Sequence, residues 1–247
     1  MAMVDKPTPD ELKRRREESR KRAIATFPYA RIETAGDQAL ATWGSVGASG
    51  RGAPVVVGDD EAFVRLAEMA TGWPGVVRST PERILEVAGR LRHPDSLISQ
   101  ISDDMPTDPE TGEWPSIAPG SPQLSVATDL RSGKPLGKVH LIILPTDDWT
   151  TIPAYLHWGG WNDCPAPESH VAALRSWRER FGAELVGLGP DVMNIKVARR
   201  PQSRAAALDL AREQFVYCSD IVEQGVGTLS ALAAALMEND WWYFWWD

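Results

Sequence analysis

The run Trp241-Trp242-Tyr243-Phe244-Trp245-Trp246-Asp247 limits this chain's fold more than any other stretch. Six successive aromatic side chains leave no polar face at either a strand or a helix period, so every face needs cover. The missing alternation predicts a strand buried on both faces, and therefore central in its sheet. With one face bare, it would instead be a stacking platform for sugars, bases or a partner protein. The nearest segment able to receive it is His157-Trp158-Gly159-Gly160-Trp161-Asn162-Asp163-Cys164-Pro165, whose paired glycines let backbone approach closely, to the rings or to a ligand.

Tryptophan is the compositional outlier: eight of the eleven follow residue 148, which marks an aromatic core or a recognition surface. The 247 residues suffice for one large domain or two small ones. A net charge of −8 makes nucleic acid an unlikely partner and a membrane surface a poor one. No apolar run approaches the roughly 18 residues of a span and no secretion signal is present, so the cytoplasm is expected. Cys164 and Cys218 allow at most one disulfide bridge.

The patterning divides the chain into three segments. Residues 1–25 form a basic helical arm, from Lys6 to Arg22, with Thr8-Pro9-Asp10-Glu11 as its start and almost no apolar stripe. Residues 26–120 form an N-terminal α/β region that either stands alone or joins residues 121–247 in one fold. In it Gly44-Ser45-Val46-Gly47-Ala48-Ser49-Gly50-Arg51-Gly52 lacks the order of a phosphate loop and reads as a flexible surface loop. A strand at Pro54-Val55-Val56-Val57-Gly58 precedes a helix capped by Asp59 or Asp60, and Thr80-Pro81 starts another. Residues 93–122 read as a linker or long loop, and Asp103, Asp104, Asp108 and Glu110 there lack calcium-loop spacing.

Residues 121–247 form a C-terminal α+β domain: a mixed sheet covered by helices, with the aromatic C-terminal strand in the sheet. Strands are expected at 124–128 and, buried on both faces, at 139–145. A helix from Pro167 to the cap Gly182 precedes a hairpin turning at Gly189-Pro190-Asp191. A helix taken as unbroken over 203–224 puts Leu208, Ala211, Phe215, Cys218 and Val222 on one side. Its other side carries Asp209, Glu213, Tyr217, Asp220 and Gln224.

The 157–165 run, His170 through Trp177, Phe181-Gly182-Ala183-Glu184-Leu185-Val186, residues 213–222 and the aromatic end together resemble a bacterial family, the domain of unknown function 4253. The resemblance covers roughly the last 105 residues. It implies no reaction, cofactor or catalytic residue. By association it suggests a conflict-system or immunity-type partner protein.

The residues themselves point to a binding or interaction module for an unknown protein or small-molecule ligand. Its candidate contacts are Trp158, Gly159, Gly160, Trp161, Asn162, Glu213, Tyr217 and Asp220. The alternative is a hydrolase with Cys164 as nucleophile, His157 or His170 as base and Asp163 as orienting acid. No cofactor is predicted; zinc is the metal that His157, Cys164, His170 and Cys218 would hold, although six and five intervening residues separate the first three.

Overall fold

The computed structural model describes residues 8–72, 76–98 and 109–247. Lys6 of the arm and Asp103, Asp104 and Asp108 of the acidic stretch lie outside the described residues. The strands are β1 (Ala30–Thr34), β2 (Ala53–Gly58), β3 (Thr128–Asp129), β4 (Lys134–Pro135), β5 (Val139–Leu144), β6 (Glu184–Leu188), β7 (Val192–Lys196) and β8 (Trp241–Trp245). The helices are α1 (Pro9–Thr26), α2 (Ala39–Ala48), α3 (Asp60–Thr71), α4 (Pro81–Ala88), α5 (Asp95–Ile98), α6 (Ile152–Leu156), α7 (Pro167–Phe181), α8 (Arg204–Tyr217) and α9 (Leu229–Glu238).

The fold is α+β. Six strands form one mixed sheet in the order β1-β5-β2-β6-β7-β8, while β3 and β4 make a separate two-residue hairpin. Neighbours are antiparallel except β2 and β6, which run parallel. Period-two alternation divides the core in two. Val55, Val57, Ile142 and Leu144 face α3, α6, α7 and α8, while Val56, Val139 and Leu141 face α2 and the turn at Ala127. On the thicker side α1 packs over α3, and α4 over α6 and α7. The capping box of α1 forms as its sequence demands, with Ala23 its only buried residue.

Four segments differ from the sequence reading, each for a local reason. Residues 44–48 continue α2, because Trp43 donates its indole N–H to the Pro54 carbonyl at 3.0 Å and fixes the helix on the sheet. Only 49–52 form a loop, with Gly50 and Gly52 at positive φ. Ser125–Ala127 is a single 3₁₀ turn, because the Asn194 Oδ1 accepts from the Ser125 hydroxyl and the Val126 N–H. The long helix ends at Tyr217. Cys218 turns extended and sends its thiol to the Trp245 carbonyl at 3.0 Å, and a wide π-type turn (Ile221–Val226) comes next.

The fourth difference concerns the aromatic strand, which is the edge of the sheet and not its centre. Trp242, Phe244 and Trp246 are covered by the helices; Trp177 stacks on Phe244 with a centroid distance of 5.3 Å. Trp241, on the other face, is covered where the chain crosses at Pro122 and Leu124. Tyr243 and Trp245 stay half-buried. Both faces found cover without a second neighbouring strand. Among the described residues no helix is long and apolar enough to cross a membrane.

Candidate functional site

Most of the expected site residues lie inside the aromatic core. Pro167 starts α7 so that His170, in its first turn, is fully buried against Trp158, with ring centroids 4.7 Å apart. The His170 Nδ1 shares a hydrogen bond of 2.5 Å with the Tyr217 hydroxyl, and its Nε2 lies 3.5 Å from the Cys164 Sγ. Burial lowers the His170 pKa to about 3, so the ring is neutral. Burial likewise raises Cys164 and Tyr217, and raises Cys218 to about 12. A nucleophilic cysteine needs a thiolate favoured by a nearby cation. Here every member of the set is held uncharged.

The remaining partners of that chemistry are elsewhere. Asp163 is exposed, and the position expected for an orienting acid is taken by Tyr217. His157 is left-handed at φ 50° and directs its Nε2 to the Ser79 carbonyl at 2.8 Å. Of the four zinc candidates only Cys164 and His170 meet. Among the described residues no group of three or more His, Cys, Asp or Glu is arranged to hold a metal.

The 157–165 loop does receive the chain end. Trp158 donates its indole N–H to the Gly189 carbonyl at 2.8 Å and packs edge-on to both Trp161 and Trp246. Asn162 donates its side-chain amide to the Asp247 carbonyl at 2.6 Å. Gly159 is required: at φ 110°, an added Cβ would stand 2.2 Å from the Pro165 carbonyl oxygen and 2.6 Å from the His170 Nε2. The close approach is to the Pro165 carbonyl and the histidine ring. Gly160, by contrast, has open space around it.

Nor do Glu213, Tyr217 and Asp220 share a solvated face. Glu213 is buried and accepts from the Trp177 indole N–H at 2.6 Å and from Arg180 at 2.8 Å, with the His93 Nε2 at 3.1 Å. Burial pushes its carboxyl upward, but His93 and Arg180 outweigh that and hold it below the usual range. It is a charged brace joining α7, α8 and the chain at His93. Asp220, past the break, accepts from the Gln224 side chain and the Asp247 N–H.

That break opens a groove. Because α8 stops at Tyr217, the chain passes through the π-type turn beside β8 before α9 returns against α8. Thr228 caps α9, and Ser230 and Asn239 tie the chain at Gly112 and Pro119 along it. The resulting groove has a volume of about 240 Å³. Ile221, Val226, Leu232 and Leu236 form an apolar wall, the edge strand from Trp241 to Trp245 lines the other side, and residues 120–122 close one end. Two lining residues are anomalous. The Gln214 side-chain nitrogen and the Trp242 indole nitrogen are both buried donors without a hydrogen-bond partner. Each such group costs about 1–3 kcal/mol when left unpaired. Gln214 escaped the sequence reading, yet its signal was present: it lies one helical turn from both Leu210 and Cys218, a polar residue within an apolar stripe.

A family model described as a domain of unknown function, DUF4253, matches residues 140–247. That segment is similar to the family. No curated protein and no solved structure matches the chain. The DUF4253 match begins inside β5 and includes both the buried His170 cluster and most of the groove, but not Gly120, Ser121 and Pro122. It also leaves out β2, the strand that lies between β5 and β6.

Proposed function

We propose that this chain is a binding module and that the groove beside β8 is its ligand site. The observation that carries the reading is the pair of buried, unpartnered N–H donors on Gln214 and Trp242, lining an otherwise apolar groove. Buried donors are nearly always satisfied, and two of the five side-chain nitrogens left unpartnered among the described residues belong to this one groove, which points to an acceptor there. The ligand therefore presents apolar surface and a carbonyl or similar oxygen. The hydrolase alternative finds no support in the neutral Cys164–His170 pair. Two buried free thiols suit a reducing compartment, so the cytoplasm is the setting we propose. An immunity-type partner in a bacterial conflict system is one protein that such a module would serve.

Acetanilide, an aromatic ring with one carbonyl oxygen, is a direct probe of the groove. On titration it should shift the Trp242 indole and Gln214 side-chain amide resonances, and Gln214→Leu should weaken it about tenfold. The same substitution removes an unsatisfied group, so it should raise stability by about 1 kcal/mol. Unmoved resonances together with an unchanged or lower stability in Gln214→Leu would overturn the reading.

A further inference from the structure

The edge strand adds a repeating element to that site. The Val197 N–H donates to the Asp240 carbonyl at 2.8 Å and the Trp246 N–H to the Asp191 carbonyl at 3.1 Å. With the register of β7 on β8, these bonds make Trp242 and Phe244 the hydrogen-bonded partners of Ile195 and Met193. The backbones of Trp241, Tyr243 and Trp245 consequently point away from β7, toward the groove. The Trp245 carbonyl accepts from the Cys218 thiol. The Tyr243 N–H and carbonyl and the Trp245 N–H have no partner among the described residues. The two outward amides are about 6.8 Å apart, the two-residue repeat of a strand.

We infer that the occupant of the groove is a short extended peptide segment of a partner protein, added to β8 as a seventh strand. This rests on the groove being the ligand site. An extended peptide offers carbonyl oxygens at the same repeat as the outward amides, and side chains that alternate between the apolar wall and solvent. It meets the Tyr243 and Trp245 edge along its length, which a compact molecule satisfying one donor does not. Among the described residues Asp220 is the one charged side chain lining the groove, so a lysine or arginine in the segment belongs at that end. Sheet edges in other proteins are blunted by charge, proline or short length. This edge is walled by aromatic and aliphatic side chains instead.

Capped pentapeptides of alternating valine and threonine, at millimolar concentration, test the inference on the full chain. The expected result is a shift and slowed hydrogen exchange of the Tyr243 and Trp245 amides. Two N-methylated versions are then compared, one modified at the odd residues and one at the even. Strand addition requires that one set abolish binding while the other is tolerated, because only alternate amides face the sheet. Equal effects of the two sets would show side-chain burial without pairing and overturn the inference. Peptides that fail to bind where acetanilide binds would overturn it too, while leaving the groove as ligand site. If neither probe binds, the inference falls, and the groove reading falls with it when Gln214→Leu also fails to raise stability.

Discussion

His170 keeps both ring nitrogens occupied in the core, by the Tyr217 hydroxyl and the Cys164 thiol, and it does so uncharged. Its pKa falls from 6.5 in the unfolded chain to about 3 in the folded one, so between those values the unfolded state binds the extra proton. Stability from this group is therefore full above about pH 6.5 and declines as pH falls toward 3. From about pH 6.5 to about pH 5 the loss should be about 2 kcal/mol. His170→Gln has no proton to gain, so its denaturation midpoints should fall correspondingly less over the same range. Parallel pH profiles for the two proteins would disprove the assignment. That His170 packs as a neutral ring was legible from its place beside Val171, Leu174 and Phe181 near a helix N-terminus. Its partner was not. Tyr217 is 47 residues away, and no local pattern reports a contact across that separation.

Among the elements, α7 shows how far local rules reach. Proline starts it, Gly182 ends it at φ 59° with its N–H on the Arg178 carbonyl, and the sequence announced both. Gly182→Ala strains that left-handed position and brings a Cβ to 3.0 Å from the Ala198 Cβ. It should cost more than about 1 kcal/mol in urea denaturation; a neutral result would mean the cap relaxes. The end of α8 was hidden, because what stops it is a thiol reaching a carbonyl 27 residues on. With the helix read as unbroken, Glu213, Tyr217 and Asp220 fell on one face, and the groove beyond the break could not be foreseen. The aromatic strand misled for a related reason: uninterrupted apolar residues report that both faces are covered, not what covers them. Here helices and a crossing loop do so, and its hydrogen-bonding edge is left over.

For the whole molecule, the sheet order decides what folds as a unit. β2 lies between β5 and β6, contributes Val55 and Val57 to the core shared with α7 and α8, and comes from outside the DUF4253 segment. Residues 140–247 expressed alone would expose the facing edges of β5 and β6 together with their apolar surface. That fragment should show no cooperative thermal transition, whereas the full chain should unfold in one. A sharp transition in the fragment would show that β2 is dispensable.

The same order has a temporal side. β1 and β2 leave the ribosome first, β5 then inserts between them, and β6, β7 and β8 add on one side in turn. Each later strand thus finds a partner already synthesised, so the sheet can be laid down vectorially without waiting for a distant strand. The groove wall on α9 and the strand facing it are completed last. A nascent chain therefore offers no finished groove to a partner until β8 itself has emerged.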